Sequence, residues 1–306
     1  MRTVYINGAW LPESEAHISL YDLSVMQGAG AFTMCRSFKQ KIFKLDEHLQ
    51  RLEESCRVLG IPLALSRQAL HAVCDEIVDR NRDVFDPADE HRLLIVASPG
   101  CAPMYRELEG VIAQPYVYVT DFPLKFTTAG LGRQFTEGGK AVVTTVIQVP
   151  DDCVPSVAKH RNRLHFHLAQ EEAKRRGADW AILCTQDADV AECPGGNLCA
   201  VINGVLVAPS RNALQGISRA TVLEIAESLS LPISRQHTLT LDDLELADEV
   251  FVTGTPFCAL PLSVVDGDEK DCPGPVYREL LSAWSARVGV HIAEQIMGWD
   301  KSCLVL

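Results

Sequence analysis

The segment AKHRNRL, residues 158–164, places several nitrogen-rich side chains in close succession. Lys159 is followed at once by His160, Arg161 and Arg163, and the next acidic residue along the chain is Glu171. Neighbouring cations lower the pKa of a lysine, which then presents a free amine that can act as a nucleophile and proton carrier. Most lysines are solvated surface residues. A catalytic role for Lys159 is therefore supported only by residues elsewhere in the sequence.

Three other stretches could bind a dianion. In LQGISRATV a helix begins, and Gly216, Ile217 and Ser218 can expose unpaired N–H groups at its N-terminus, where hydrogen bonds and the helix dipole both favour phosphate. Arg51, on a helix that also carries His48, could add a bidentate clamp. Thr255 ends the strand-like run EVFVTGT. Each residue alone has an ordinary structural explanation, and their joint presence favours a phosphate site.

Composition narrows the classes of partner. The chain has 306 residues, 47% hydrophobic content and a formal net charge of −12, which disfavours nucleic acid and anionic membranes as partners. A small-molecule ligand fits better. No apolar run reaches 18 residues and MRTVYINGAW lacks a signal-peptide core, so we expect a cytoplasmic location. Eleven cysteines without a C-x-x-C pair predict neither a metal site nor a disulfide framework.

The first part of the chain predicts a small α+β domain over residues 1–121. VYINGAWL is typical of a hairpin that turns at Asn7-Gly8. AFTMCRSF, KIFKL, RLLIVAS and PYVYVTDF are strand-like. Leucines at alternating spacings of four and three predict a helix that ends at Gly60, and a second helix follows a Ser66 cap.

Residues 122–133 are read as a linker, and residues 134–306 as a larger cofactor-binding domain. We expect a strand AVVTTVIQV, a helix beginning near Lys159, a hairpin turning at Asn203-Gly204 and a last helix around residues 275–297. The mixture of hairpins and helices, without a G-x-G-x-x-G after a strand, disfavours a doubly wound sheet.

Together, these motifs resemble the fold-type IV pyridoxal-phosphate enzymes: branched-chain aminotransferases, D-amino-acid transaminases and aminodeoxychorismate lyases. The likeness extends over nearly the whole chain. It implies two domains, a small N-terminal α/β sandwich and a larger mixed β-barrel-like domain with helices. It also implies pyridoxal 5′-phosphate as cofactor and a homodimer.

The resemblance assigns roles residue by residue. Lys159 matches the lysine that forms the Schiff base and carries the proton. Glu192 matches the carboxylate that pairs with the pyridine nitrogen, although the turn glycine usual before its strand is replaced by Ala188. Arg51 and Thr255, with Gly216, Ile217 and Ser218, match the phosphate-binding groups.

Arg163 is the residue that favours one subgroup of this family over the others. The pattern KHxNRL resembles the lyases, and this arginine could face the phenolic oxygen of the cofactor. The strand AFTMCR also resembles that of the lyases, and its Phe32, Met34 and Arg36 are candidates for the substrate pocket.

At two positions the sequence departs from the family residues that bind the substrate carboxylate. Pro99 stands where lyases and D-amino-acid enzymes carry an arginine, and Pro256 lacks the N–H that branched-chain enzymes use nearby. We therefore expect Arg36 or Arg106, with Arg133 a further candidate, to replace the anchor. We also expect low activity towards L-leucine and L-valine.

The sequence leaves the reaction open between two enzymes on the same cofactor. The first interpretation is an aminotransferase that moves an amino group between a branched-chain-like or D-amino acid and a 2-oxo acid. The second is a 4-amino-4-deoxychorismate lyase, which releases 4-aminobenzoate and pyruvate. A non-catalytic protein that binds the cofactor is a third alternative, and fold resemblance alone does not fix the substrate.

Overall fold

The computed structural model describes residues 1–234 and 238–303, and it divides the chain into two compact units. Unit 1 comprises Met1–Leu124 and Ala158–Arg163, and unit 2 comprises Lys125–Val157 and Leu164–Leu306. The change of unit after Leu124 falls inside the expected 122–133 linker. The short piece Ala158–Arg163 belongs to unit 1, whereas the sequence division placed it in the second domain. That these units are independent domains stays a prediction.

Unit 1 contains a six-stranded antiparallel sheet in the order β2-β1-β6-β5-β3-β4. Its strands are β1 Thr3–Ile6, β2 Ala9–Pro12, β3 Ala31–Phe38, β4 Lys41–Ile42, β5 His91–Ser98 and β6 Tyr116–Pro123. Its helices are α1 Leu23–Met26, α2 Leu45–Leu59 and α3 Arg67–Asn81. The Asn7-Gly8 hairpin and both long helices are as the sequence predicts.

The core of unit 1 lies between one sheet face and helices α2 and α3. Because side chains alternate along a strand, Cys35, Leu93, Ile95 and Val119 point into the same cluster as the leucine stripe of α2. Residues at the alternate positions, among them Phe32, belong to the opposite face of the sheet. That second face carries the arginines described below.

Unit 2 contains an eight-stranded sheet in the order β11-β10-β12-β13-β7-β8-β9, with β14 paired to β13. Its strands are β7 Gly139–Val143, β8 Trp180–Cys184, β9 Val190–Glu192, β10 Asn197–Ile202, β11 Val205–Val207, β12 Glu249–Gly254, β13 Cys258–Val265 and β14 Asp268–Glu269. Its helices are α4 Lys125–Thr128, α5 Gln134–Glu137, α6 Leu164–Arg175, α7 Ile217–Ser228, α8 Leu241–Leu246, α9 Pro275–Val288 and α10 Ile292–Cys303.

The sheet of unit 2 must curl. Strand β9 ends one edge of the order, yet only residues 193–196 separate it in sequence from β10, near the other edge. A four-residue turn, closed by a bridge between Cys193 and Gly196, cannot span a flat sheet of this width. The predicted α+β class, with a barrel-like second sheet, is confirmed.

Three details differ from the sequence expectations. Helix α6 begins at Leu164, because residues 159–161 are extended and hydrogen-bonded along β3. The expected helix at 275–297 is two helices, since Gly289 adopts φ 66° and caps α9. Strand β7 ends at Val143, well before the expected end at Val149. None of the helices in the described ranges has the length and apolar character needed to cross a membrane.

Candidate functional site

Lys159 is held by its backbone from two sides. Its carbonyl accepts the N–H of Phe32 at 2.9 Å, and the next pair in the ladder joins the N–H of Arg161 to the carbonyl of Gly30 at 2.8 Å. On the other side, the N–H of Lys159 donates to the hydroxyl of Ser55 at 3.0 Å. Ser55, fully buried in α2, itself donates to the carbonyl of Arg51 at 2.8 Å. The lysine is therefore fixed on an extended segment that connects β3 to α2.

Three cations of this segment gather over one ring. The Nζ of Lys159 lies 4.9 Å from the centroid of Phe32, and the Cζ atoms of Arg161 and Arg163 lie 5.4 and 5.8 Å from it. Phe32 is buried on β3. The aromatic face stabilises the charges that surround the lysine amine, so the sequence cluster is also a spatial cluster.

His160 presents a neutral imidazole next to the lysine. Burial lowers its pKa, and the nearby charges of Arg163 and Lys159 lower it further. Its Nδ1 atom is buried and has no hydrogen-bond partner among the described residues. A buried lone pair without a partner is costly in a folded protein, so this atom is a candidate contact for a ligand.

Arg51, the arginine predicted to bind phosphate, belongs to a chain of hydrogen bonds that links three residues. Arg51 donates from Nη2 to the Oγ1 of Thr33 at 3.0 Å, and Thr33 lies 2.9 Å from the Nδ1 of His48. The pKa of His48 is held well below its usual value by burial first, then by the charges of Arg51 and Lys159. The neutral His48 ring accepts a hydrogen bond from the Thr33 hydroxyl. The Thr33 oxygen in turn accepts the hydrogen bond from Arg51 and so orients the guanidinium group.

The candidate substrate residues of unit 1 differ in their surroundings. Phe32, Met34 and Arg36 occupy alternate positions of β3. Arg36 is only 2% exposed, and its guanidinium lies 3.9 Å from the Phe38 ring. Arg106 is exposed after a short 3-10 turn. In unit 2, Arg133 forms an ion pair with Asp179.

Sequence reasoning missed Arg92. It stands on β5 directly opposite Arg36 and donates from Nε to the sulfur of Met34 at 3.1 Å. The signal was present in β5, where Arg92 directly precedes the apolar run LLIVA of the strand HRLLIVAS.

In unit 2, Glu192 occupies the end of β9, opposite Leu183 of β8, and is 8% exposed. The amide of Gln148 approaches its Oε1 at 3.5 Å, a contact that the sequence did not reveal. The turn before β9 contains Ala188 at φ 64°. This left-handed conformation is one that glycine adopts without strain, which explains why a glycine is usual at this position.

Helix α7 begins without a side-chain cap. Gly216 is its N-cap residue, and the N–H groups of Ile217 and Ser218 have no acceptor in the described parts of the chain. A Cβ on Gly216 would lie 2.0 Å from the Oδ1 of Asn197, so a larger residue would displace the Asn197 amide from its bond to the Leu214 carbonyl. Arg219, missed by sequence reasoning, donates to the carbonyl of Ala208 and so holds the loop before the helix.

The start of α7 lies close to the end of β12. Asn197, which contacts Gly216, pairs with Thr253 across the β10–β12 ladder, and Thr255 follows two residues later, partly exposed. Pro256 is buried in the turn that leads to β13. Unit 2 thus brings the uncapped amides towards the strand end that carries Thr255.

The structure therefore distributes the predicted residues over both units. Unit 1 carries Arg51, which is hydrogen-bonded to Thr33, and brings Lys159 and Arg163 over the Phe32 ring. Unit 2 carries the other predicted cofactor residues, namely Glu192, Gly216, Ile217, Ser218 and Thr255.

Comparison with known proteins identifies relatives that match nearly the whole chain. The chain is 28% identical to the branched-chain-amino-acid aminotransferase of Escherichia coli K12 over 294 residues, covering 92% of this chain and 91% of that one. A structure of the branched-chain aminotransferase from Thermoproteus uzoniensis with norvaline superposes with a TM-score of 0.82 at 26% identity, covering 97% and 98% of the two chains.

A second structure, a branched-chain amino acid aminotransferase from T.th. complexed with N-(5′-phosphopyridoxyl)-L-glutamate, matches with a TM-score of 0.80 at 26% identity and covers 97% of each chain. The model of the amino-transferase class IV family matches residues 30–265, a range that includes every candidate cofactor residue named above. The chain belongs to the class IV aminotransferase family, and it is a transaminase.

Proposed function

We propose that this transaminase uses pyridoxal 5′-phosphate to move an amino group between an amino acid, branched-chain-like or D-configured, and a 2-oxo acid. The observation that carries the proposal is the fixed segment around Lys159, whose amine lies over Phe32 amid further cations. Bound pyridoxal phosphate supplies an electrophilic carbon and an electron sink. The residues present fit such a group, as follows.

Lys159 supplies the amine. Its free amine would hold the cofactor covalently, with the aldehyde oxygen lost as water, and once displaced by the substrate amine it would accept and return a proton at Nζ. Its backbone is held by hydrogen bonds to Ser55 and Phe32. The neutral His160 presents its buried Nδ1 beside it.

The phosphate would be bound by backbone and side-chain donors that the sequence already singles out. The N–H groups of Ile217 and Ser218 meet an anion at an uncapped helix start, which Gly216 leaves open. Thr255 offers a hydroxyl, and Arg51 a guanidinium oriented by Thr33.

The carboxylate of Glu192 would keep the ring nitrogen of the cofactor protonated, because a buried anion stabilises the protonated form of a neighbouring base. Gln148 approaches this carboxylate and restricts its rotation. Arg163 is proposed to face the phenolic oxygen. From the sequence, Phe32, Met34, Arg36, Arg106 and Pro256 are the residues predicted to contact the substrate.

A second copy of this chain is the proposed macromolecular partner. Leu20 and Met104 are each 79% exposed, and they belong to two loops joined by the stacked rings of Tyr21 and Tyr105, whose centroids are 4.3 Å apart. Exposed apolar clusters of this kind mark protein interfaces. Sedimentation of the purified protein should give a dimer mass, and a fully active monomer would contradict it. A cytoplasmic location stays a prediction from the sequence.

The attachment test uses borohydride. Reduction of the cofactor-loaded enzyme should leave a stable phosphopyridoxyl label on the peptide that contains Lys159. Lys159→Ala should lose the label and turnover, while Lys174→Ala, which removes an exposed lysine of α6, should keep both. A label on another lysine would refute the assignment.

The lyase alternative rests on Arg163 and the β3 motif, and it is separated by the product. The transaminase requires a 2-oxo acid as second substrate, whereas the lyase releases pyruvate from aminodeoxychorismate without one. We expect no pyruvate above the rate of the Lys159→Ala control. Stoichiometric pyruvate and 4-aminobenzoate would instead support the lyase.

A further inference from the structure

Two arginines of unit 1 lie close together on the sheet face that carries Phe32. Arg161 belongs to the fixed lysine segment, and its Cζ is 5.4 Å from the Phe32 centroid. Arg92 is partly buried on β5. It pairs with Arg36 across the β3–β5 ladder, so its side chain lies on the same sheet face as Phe32. Burial lowers the pKa of Arg92, and the charge of Arg161 lowers it further.

Neither guanidinium is neutralised. Within residues 1–234 and 238–303, no ion pair joins Arg92 or Arg161 to a carboxylate, and the side-chain hydrogen bond of Arg92 goes to the sulfur of Met34. A third arginine, Arg36, stands directly opposite Arg92 in the ladder. Like charges at facing positions of a sheet are destabilising, and an anion bound by Arg92 and Arg161 would relieve this repulsion.

The neighbourhood provides a hydroxyl donor as well. Tyr118, partly exposed on β6, pairs with Val96, which in turn pairs with Phe32, so its side chain lies on the same sheet face as Phe32. Its pKa is raised by burial, and the charge of Arg161 offsets part of that rise. Its hydroxyl is therefore protonated at neutral pH and available as a donor. Two guanidinium groups and one hydroxyl form a donor set that suits a carboxylate.

The position of Arg161 relative to the reacting amine is also fixed. Arg161 lies two residues after Lys159, and its backbone N–H donates to the carbonyl of Gly30 at 2.8 Å. The side chains of Lys159 and Arg161 both lie over the Phe32 ring. A Cβ on Gly30 would lie 3.1 Å from the Cγ of Arg161, so the glycine gives this side chain room to lie along the segment.

We propose that Arg161, supported by Arg92, binds the α-carboxylate of the amino acid and 2-oxo acid substrates. This inference rests on the proposed transaminase function. It replaces the sequence expectation of Arg36 or Arg106, since Arg36 is buried against Phe38 and Arg106 lies on an exposed turn.

Steady-state kinetics of Arg161→Met test the proposal. Removing a charge-assisted hydrogen bond should raise KM for both L-leucine and L-glutamate at least about tenfold, with kcat within about threefold. Arg92→Met should raise KM less, and Arg161→Lys should restore part of the loss. The matched control is Arg175→Met, an exposed arginine in the last turn of α6, which should behave as wild type.

Calorimetry with 4-methylvalerate, a carboxylate without an amine, gives a readout independent of turnover. Its Kd for the loaded enzyme should weaken in Arg161→Met by the same factor as KM. An unchanged Kd and KM would overturn the proposal, as would a loss confined to L-glutamate, which would assign Arg161 to a side-chain carboxylate. A wild-type enzyme that binds 4-methylvalerate through Arg161 yet transfers no amino group would refute the proposed function instead.

Discussion

Removing the Ser55 hydroxyl tests how the lysine segment is held. In Ser55→Ala, the N–H of Lys159 loses its 3.0 Å acceptor, and the Arg51 carbonyl loses a 2.8 Å donor. The carbonyl keeps its helical bond, whereas the N–H sits beside a fully buried position that water does not readily reach. Leaving such a donor unsatisfied costs about 1–3 kcal/mol.

Hydrogen exchange followed by mass spectrometry measures this loss locally. A cost of about 1–3 kcal/mol corresponds to exchange about 5- to 150-fold faster in peptides that cover residues 158–163. Ser228→Ala is the matched control, because that hydroxyl bonds only the Ile225 carbonyl of its own helix and should leave these peptides unchanged. Exchange within about twofold of wild type in folded Ser55→Ala would refute the proposed support.

Three further predictions follow from local geometry. The pKa of His48 in the folded protein lies below its ordinary value of 6.5, so as pH falls the unfolded chain binds a proton at His48 before the folded protein does. The free energy of unfolding should therefore decrease from pH 6.5 to 5, and it should decrease less steeply in His48→Gln. Ala188→Gly should raise the free energy of unfolding by about 0.5–1 kcal/mol in urea titrations, because φ 64° strains alanine more than glycine; an unchanged value would contradict that strain. Gly216→Ala, whose Cβ would collide with Asn197, should weaken cofactor affinity at least about tenfold in fluorescence titrations, and wild-type affinity would remove Gly216 from the phosphate site.

Local sequence signals predict most elements of unit 1. The Asn7-Gly8 turn, the leucine stripe of α2 with Gly60 and the Ser66 cap each combine a turn or cap residue with a matching periodicity, and such signals depend only on neighbours in the chain. The sequence places helix α6 too early because the residues around Lys159 are compatible with a helix start. Pairing with β3, more than 120 residues away, overrides that local preference.

The candidate site shows the same limit. The types of residues that a phosphate-bearing aldehyde needs are visible along the chain, but the contacts that position them are not. Ser55 and Gln148 are ordinary polar residues in sequence, and only the fold brings them to Lys159 and Glu192. The proposed substrate anchor differs from the one expected from sequence for a related reason, since burial of Arg36 against Phe38 depends on tertiary packing.

The amino-transfer half-reaction tests the central claim most directly. Enzyme loaded with pyridoxal phosphate is mixed with one amino donor at a time and no acceptor, and the visible cofactor band is followed together with the oxo acid formed. The account predicts that at least one amino acid donor abolishes the band with one equivalent of oxo acid. Addition of a 2-oxo acid should restore the band, and Lys159→Ala should show neither change. A band that survives every branched-chain, D- and acidic amino acid donor, or a Lys159→Ala enzyme that completes the half-reaction at the wild-type rate, would contradict it.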